Sequence, residues 1–312
     1  MDQKQVINYP SQFAFLLGLM GVFIILSAFL VPLVGSMVMH VPFRQVVRDI
    51  NRPEYANISR LLNTVAAFLS FLLPAFFLAR VLNKRPFAQL GFNAAISAKQ
   101  LLLILALTFT SIMLSGALGE LNEWIPLPAK WYAEAKALED TYKAAMMSMA
   151  TMHSVSDYLL ALVVLAAAPA LFEEVLFRGG FQQVFVGWTR NKWAGIIITS
   201  ILFSAIHFSY FGFLPRLALG MVLGLIFYYS KNIWLNIFLH FLNNALVVTQ
   251  LYIMSQQGKP VAKTMDESIP AWWGIVALVI LIALFRSFKK ESTRVIAAAD
   301  RSIHSSPENI LS

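Results

Sequence analysis

The chain is 312 residues long, 58% hydrophobic and 13% charged, with 24 Lys and Arg against 16 Asp and Glu, a net charge of +8. Ordinary soluble domains run at roughly 45–50% apolar and 25% charged, so this balance, with a mean hydropathy of +0.68, excludes a soluble globular domain; low charge excludes a disordered chain. Cysteine is absent, which removes disulfide frameworks, thiolate metal sites and cysteine nucleophiles together. What remains is an integral, multi-pass membrane protein of all-α class. Its basic excess reads as loop charge held on the cytoplasmic side, and no nucleic-acid partner is expected.

A helix needs about 20 mostly apolar residues to cross a bilayer. Eight stretches qualify in chain order: 13–34, 61–82, 100–118, 158–177, 194–211, 214–229, 233–253 and 272–288. They predict a polytopic transmembrane helix bundle of about eight spans. The first exceeds a signal-peptide core and lacks a clear small-residue cleavage site, so it is expected to stay as a span. Only Gly212 and Phe213 separate the fifth from the sixth, which predicts a tight helical hairpin. Residues 1–156 then form N-terminal spans plus a long loop, 157–248 a core, and 249–312 the last span and a tail.

Orientation follows from Lys and Arg in the short connections. Arg80, Lys84, Arg85 and Lys99, then Arg178, Arg190 and Lys192, then Arg286, Lys289, Lys290 and Arg294 fall on one side when eight helices alternate. Both termini are therefore expected in the cytoplasm. The long acidic connection around Glu120–Asp157 falls outside. One segment conflicts: the first loop carries Arg44, Arg48, Arg52 and Arg60 yet falls outside too. Residues 131–149 read as an amphipathic helix lying at the interface. The polar tail after Glu291 is expected to be poorly ordered.

Ionisable groups inside spans are costly, about 2.5–3.5 kcal/mol each on insertion scales, and mark functional interiors. Three clusters stand out. Glu173-Glu174-x-x-x-Arg178 closes the fourth span; Glu174 and Arg178 share a helix face and can pair, whereas Glu173, rotated by about 100°, has no local partner. His207 lies late in the fifth span, four residues after Phe203. His240 and Asn244 face one way from the middle of the seventh. Converging helices would bring a free carboxylate, two imidazoles and a carboxamide to one cavity. Glu173, His207 and His240 would serve as a zinc set with an open position and equally as a metal-free, water-activating site; no His-Glu-x-x-His decides between them. Bland alternatives exist for each cluster: solvated boundary acids, a core histidine, amide glue between helices. No Gly-x-Ser-x-Gly nucleophile elbow is present. Gly220 and Gly224, four apart, read as close-packing points.

These three motifs, in this order and at roughly 30-residue spacing over about 157–248, resemble those of CPBP intramembrane proteases, the family of Rce-type CAAX prenyl endopeptidases and bacteriocin-processing or immunity proteins. The resemblance implies an intramembrane endopeptidase, metallo- or glutamate-dependent, acting on membrane-associated proteins or peptides. It implies that Glu173 activates water, that His207 and His240 position that water or a zinc ion, and that His240 with Asn244 stabilises the oxyanion. Glu174 and Arg178 would be a structural ion pair at the site. Charge inside the membrane needs water access, so a hydrated cavity open to the cytoplasmic leaflet is expected, and the resemblance suits a protein of the plasma (inner) membrane of a bacterium. Two other classes compete. A non-catalytic scaffold or immunity-type protein could keep the fold, against which the intact six-residue set argues. A proton-coupled carrier predicts an inverted repeat, and the two halves show none.

Overall fold

The computed structural model describes residues 7–50, 52–149, 152–257 and 269–304, and among them finds helices and no strand. The helices of seven residues or more are α1 (Tyr9–Met39), α2 (Phe43–Asp49), α3 (Ala56–Leu82), α4 (Ala98–Glu123), α5 (Ala129–Met149), α6 (Val155–Thr189), α7 (Lys192–Ala205), α8 (Phe213–Ser230), α9 (Ile233–Gln256) and α10 (Trp273–His304) among the described residues. Six of these (α1, α3, α4, α6, α8 and α9) are long and apolar enough to cross a membrane. The protein is an integral membrane helix bundle.

The other two expected spans are helices of a different kind. At 14 residues α7 reaches about 21 Å, short of a bilayer core of about 30 Å. It stops because Phe208 takes a left-handed backbone, φ 49°, so His207 lies in the turn beyond the helix. In α10 the apolar run is followed by Arg286, Lys289 and Lys290, and the helix continues through the tail expected to be loose. Glu291 and Ser292 are buried there. Ser97 Oγ donates to Glu291 Oε1 (2.8 Å) and Gln100 Nε2 to Ser292 Oγ (3.1 Å), so α10 is tied to the capping box that starts α4.

One local device makes two of the hairpins. Arg190 (φ 52°) ends α6 and Lys231 (φ 53°) ends α8, and in each case the next residue, Asn191 or Asn232, caps the following helix. The backbone N–H of each Asn also reaches a hydroxyl two residues back, Thr189 or Ser230. A left-handed residue followed by an Asn cap is a compact way to stop one helix and start another.

Cross-links define the two ends of the bundle. At one end Asn232 Nδ2 donates to the carbonyls of Asn93 and Ala95, and Ile233 N–H to Gly91. Lys192 and Lys289 both sit over the Tyr229 ring. This is the basic end. At the other, Asn122 at the foot of α4 joins Tyr210 and Leu214, Ser255 reaches Met152, and Asn57 reaches Asp157. The first loop does lie at this second end, as the alternation required. Its charge is partly answered in place: Arg48 and Arg52 pair with Asp49, and Arg52 also with Glu54.

Candidate active site

Glu173 and Glu174 sit where α6 widens from α-helix into the π-helical segment Val175–Gln182. Such widenings are uncommon in helices and frequent at functional sites. Beyond them Arg178 Nη1 donates to Glu174 Oε1 (2.8 Å), with both side chains fully buried. Arg178 Nη2 donates to the Gly220 carbonyl (3.0 Å) and Gln182 Nε2 to the Gly224 carbonyl (2.9 Å). The glycine pair on α8 thus does two things. It lets the helix close on Ser200 and Ile196, which a Cβ would meet at 3.0 and 2.8 Å, and it offers two carbonyls to α6.

The structure adds partners to one of the two acids. Glu174 is more than Arg178's partner, because its Oε1 also meets His240 Nδ1 at 2.9 Å and its Oε2 accepts from Asn236 Nδ2 at 3.3 Å. With a carboxylate opposite Nδ1, that nitrogen carries the proton, and Nε2 is left facing the other way. Nε2 lies 3.9 Å from Glu173 Oε2. That is too long for a direct hydrogen bond and is the kind of gap one water closes. The order is therefore arginine, carboxylate, imidazole, carboxylate: Arg178–Glu174–His240–Glu173. Glu173 keeps 13% of its side chain exposed, whereas Glu174 keeps none.

His207 approaches from the turn after α7. Its Nδ1 is 2.8 Å from the Phe203 carbonyl; a carbonyl only accepts, so Nδ1 carries the proton and Nε2 of the neutral ring is the acceptor. Phe203 is the hinge of the cluster. Edge-to-face contacts run from its ring to His207 (5.4 Å) and to His240 (5.8 Å), and the Arg178 guanidinium lies over it at 4.9 Å. Asn244 is one turn beyond His240 on α9, its carbonyl engaged by Asn243 Nδ2 at 3.2 Å, which leaves its own amide N–H groups to offer.

The turn carrying His207 belongs to the end opposite the basic loops, away from the side expected to be cytoplasmic. There α5 covers it, the helix expected at 131–149. Ser209 Oγ donates to the buried Glu139 Oε2 (2.6 Å), Tyr132 meets Phe211 edge-on at 5.9 Å, and the Tyr142 ring lies 5.2 Å from the Arg216 guanidinium. Beside the polar cluster, a purely apolar cavity of about 410 Å³ is lined by Leu171, Val175, Phe76, Phe92 and Trp234 among others.

All six expected residues are thus placed, and α6, the α7–α8 turn and α9 do converge. Asn236 and Gln182 were not anticipated; Asn236 precedes His240 by four residues, a spacing that could have exposed it. The zinc set is not supported by geometry: among the described residues no group of three or more His, Cys, Asp or Glu is placed to hold a metal ion. His207 spends Nδ1 on the Phe203 carbonyl and His240 spends Nδ1 on Glu174, which leaves one ring nitrogen of each.

With three helices meeting at two carboxylates and two imidazoles, the segment can be compared with known families. Residues 155–246 match the family model described as type II CAAX prenyl endopeptidase Rce1-like. It is the family that the three motifs resemble, and all six motif residues fall inside the matched segment. No curated protein and no solved structure matches the chain. The Rce1-like segment begins at the start of α6 and ends just after Asn244 on α9, so α1 to α5 and α10 lie outside it.

Proposed function

We propose that the protein is an intramembrane endopeptidase that uses Glu173 to activate water against a peptide bond of a membrane-associated protein or peptide. The observation that carries this reading is the Glu174–His240–Glu173 order, in which one buried carboxylate fixes an imidazole and the second, partly exposed, stays free to take a proton. The family match of the surrounding segment supports the same chemistry.

In this reading a water lies between Glu173 Oε2 and His240 Nε2 and donates one hydrogen to each. Glu173 takes the water proton as the oxygen attacks the carbonyl carbon. The negative charge on the carbonyl oxygen is met by the Asn244 amide. Glu173 then returns its proton to the departing amine, which closes the proton balance. General base catalysis of this kind contributes about 10²–10⁴-fold. No step runs through a metal. Substrates of the lipid-anchored CAAX type fit the family's description and the apolar cavity beside the cluster. The cytoplasmic termini and bacterial inner-membrane setting belong to the same proposal.

The test is cleavage of a farnesylated CAAX-type peptide by the protein in phospholipid vesicles, with whole-membrane proteomics of wild type against Glu173→Gln beside it. An uncleaved membrane protein that accumulates only in the variant supports the reading. Processing that is unchanged in the variant overturns it.

A further inference from the structure

Three lysines converge on two neighbouring tyrosines at the basic end of the bundle. Lys192, the first residue of α7, holds its ammonium group over the rings of both Tyr228 and Tyr229 at 5.5 Å and over Trp193 at 5.4 Å. Lys231, in the turn after α8, lies over Tyr228 at 4.4 Å, and Lys289 of α10 lies over Tyr229 at 5.7 Å. Lys192 is common to both rings, so the order along the strip is Lys231, Tyr228, Lys192, Tyr229, Lys289. Among the described residues none of the three ammonium groups makes an ion pair or hydrogen bond, and neither tyrosine hydroxyl has a partner. Other surface cations of this chain are answered by carboxylates: Arg48 and Arg52 by Asp49, and Arg294 by Glu291. A ring face attracts an exposed ammonium only weakly, and like charges set side by side repel. Five donors therefore face no acceptor, and the missing element is an anion.

The surroundings say which anion. Trp193 beside Lys192, and Trp234 three residues past Lys231, are exposed, and indole rings gather at the level of lipid headgroups. Below the strip the surface turns apolar. Ile282 and Ile275 stand seven and fourteen residues before Lys289, on nearly the same stripe of α10, and both are exposed. Leu225 lies one turn below Tyr229 on α8 and is half-buried. Donors above and an aliphatic wall beneath match the two halves of a phospholipid, whereas a free phosphate would use the upper half alone. Basic pockets between membrane helices are recurrent sites for anionic lipid headgroups.

We propose that this strip binds one anionic phospholipid, its phosphate held by Lys192 and Lys289 with the Tyr229 hydroxyl as a further donor, and Lys231 with Tyr228 extending the site. α7 and α10 both pack against α8, so the lipid bridges them across it. Since α10 lies outside the Rce1-like segment, the lipid joins the matched core to a helix beyond it.

The experiment uses the full chain in neutral detergent and reads lipid retention by native mass spectrometry and the melting temperature. Phosphatidylglycerol is expected to stay bound and to raise the melting temperature. Phosphatidylcholine with the same acyl chains, and inorganic phosphate, should do neither. Replacing Lys192 and Lys289 together (Lys192→Gln, Lys289→Gln) should weaken phosphatidylglycerol binding by about tenfold to thirtyfold. The pair Lys84→Gln and Arg85→Gln removes the same charge from another exposed connection at the same end and should leave binding unchanged. Equal weakening by the two pairs overturns the proposal, because it means a diffuse surface charge, and so does no weakening by the first pair. Equal retention of phosphatidylcholine overturns it in favour of an apolar groove alone, and a melting shift reproduced by phosphate overturns it in favour of a lipid-free anion site. Should the Lys192 change prevent folding, Lys289→Gln alone decides: weaker phosphatidylglycerol binding supports the site, and unchanged binding overturns it.

Discussion

Helices α1 and α6 are both long apolar spans, yet they are built for different surroundings. In α1 only 17% of the apolar window is buried, against 44% in α6. Its outward side chains, such as Ile25 and Phe29 at 61% and 65% exposure, lie on the outer surface of the bundle. In α6 the run from Val175 to Gln182 is wholly buried, polar residues included, and the helix departs from regular α geometry. The contrast shows where this molecule concentrates constraint. A lipid-facing span needs only to be apolar, whereas a span that carries buried charge must supply every donor and acceptor with a partner inside the protein.

The sharpest way to break that contrast is at Glu173. Glu173→Gln is expected to lower kcat by about 10²–10⁴-fold with a melting temperature in detergent close to wild type, since nothing structural leans on this carboxylate. Glu174→Ala should do the opposite. It strands a fully buried Arg178 and releases His240 and Asn236, and breaking a buried pair in this way costs about 3–5 kcal/mol. Thermal melts and folded yield should therefore separate the two neighbours, and matching melts would refute the roles assigned to them. Asn244→Ala, removing an oxyanion donor, is expected to cost about 10²–10³ in kcat with little change in KM or stability. Gly220→Val forces a side chain against Ser200 and disturbs the carbonyl that Arg178 uses, an overpacking effect of about 1–3 kcal/mol visible in the same melts. Last, Phe29→Leu on α1 should change stability by no more than about 0.5 kcal/mol. A large effect there would mean that α1 has a protein partner on the face now read as lipid-exposed.

Much of the site could be read from the chain because polarity is conspicuous in an apolar run. Glu173, Glu174, Arg178, His207, His240 and Asn244 stood out for that reason, and Gly220 with Gly224 for their four-residue spacing. Other features gave no such signal. Arg216 lies at the very start of the expected 214–229 span, where an arginine reads as ordinary boundary charge. His207 reads as part of a helix because the residues around it are apolar; the break depends on Phe208 adopting a left-handed backbone, which a bulky side chain does not announce. The tail past Glu291 looks polar and loose until Ser97 and Gln100 are seen to bind it.

The amino-acid pattern by itself determined that this is a membrane protein of packed helices with ionisable groups in its interior, because hydrophobic length and misplaced charge are local properties. Which of two adjacent carboxylates is tied down and which is left free is not a local property. It was decided by α8 and α9 arriving with the Gly220 carbonyl, Asn236 and His240, and hydrogen-bond partners more than 40 residues distant in the chain become neighbours only once the bundle has closed.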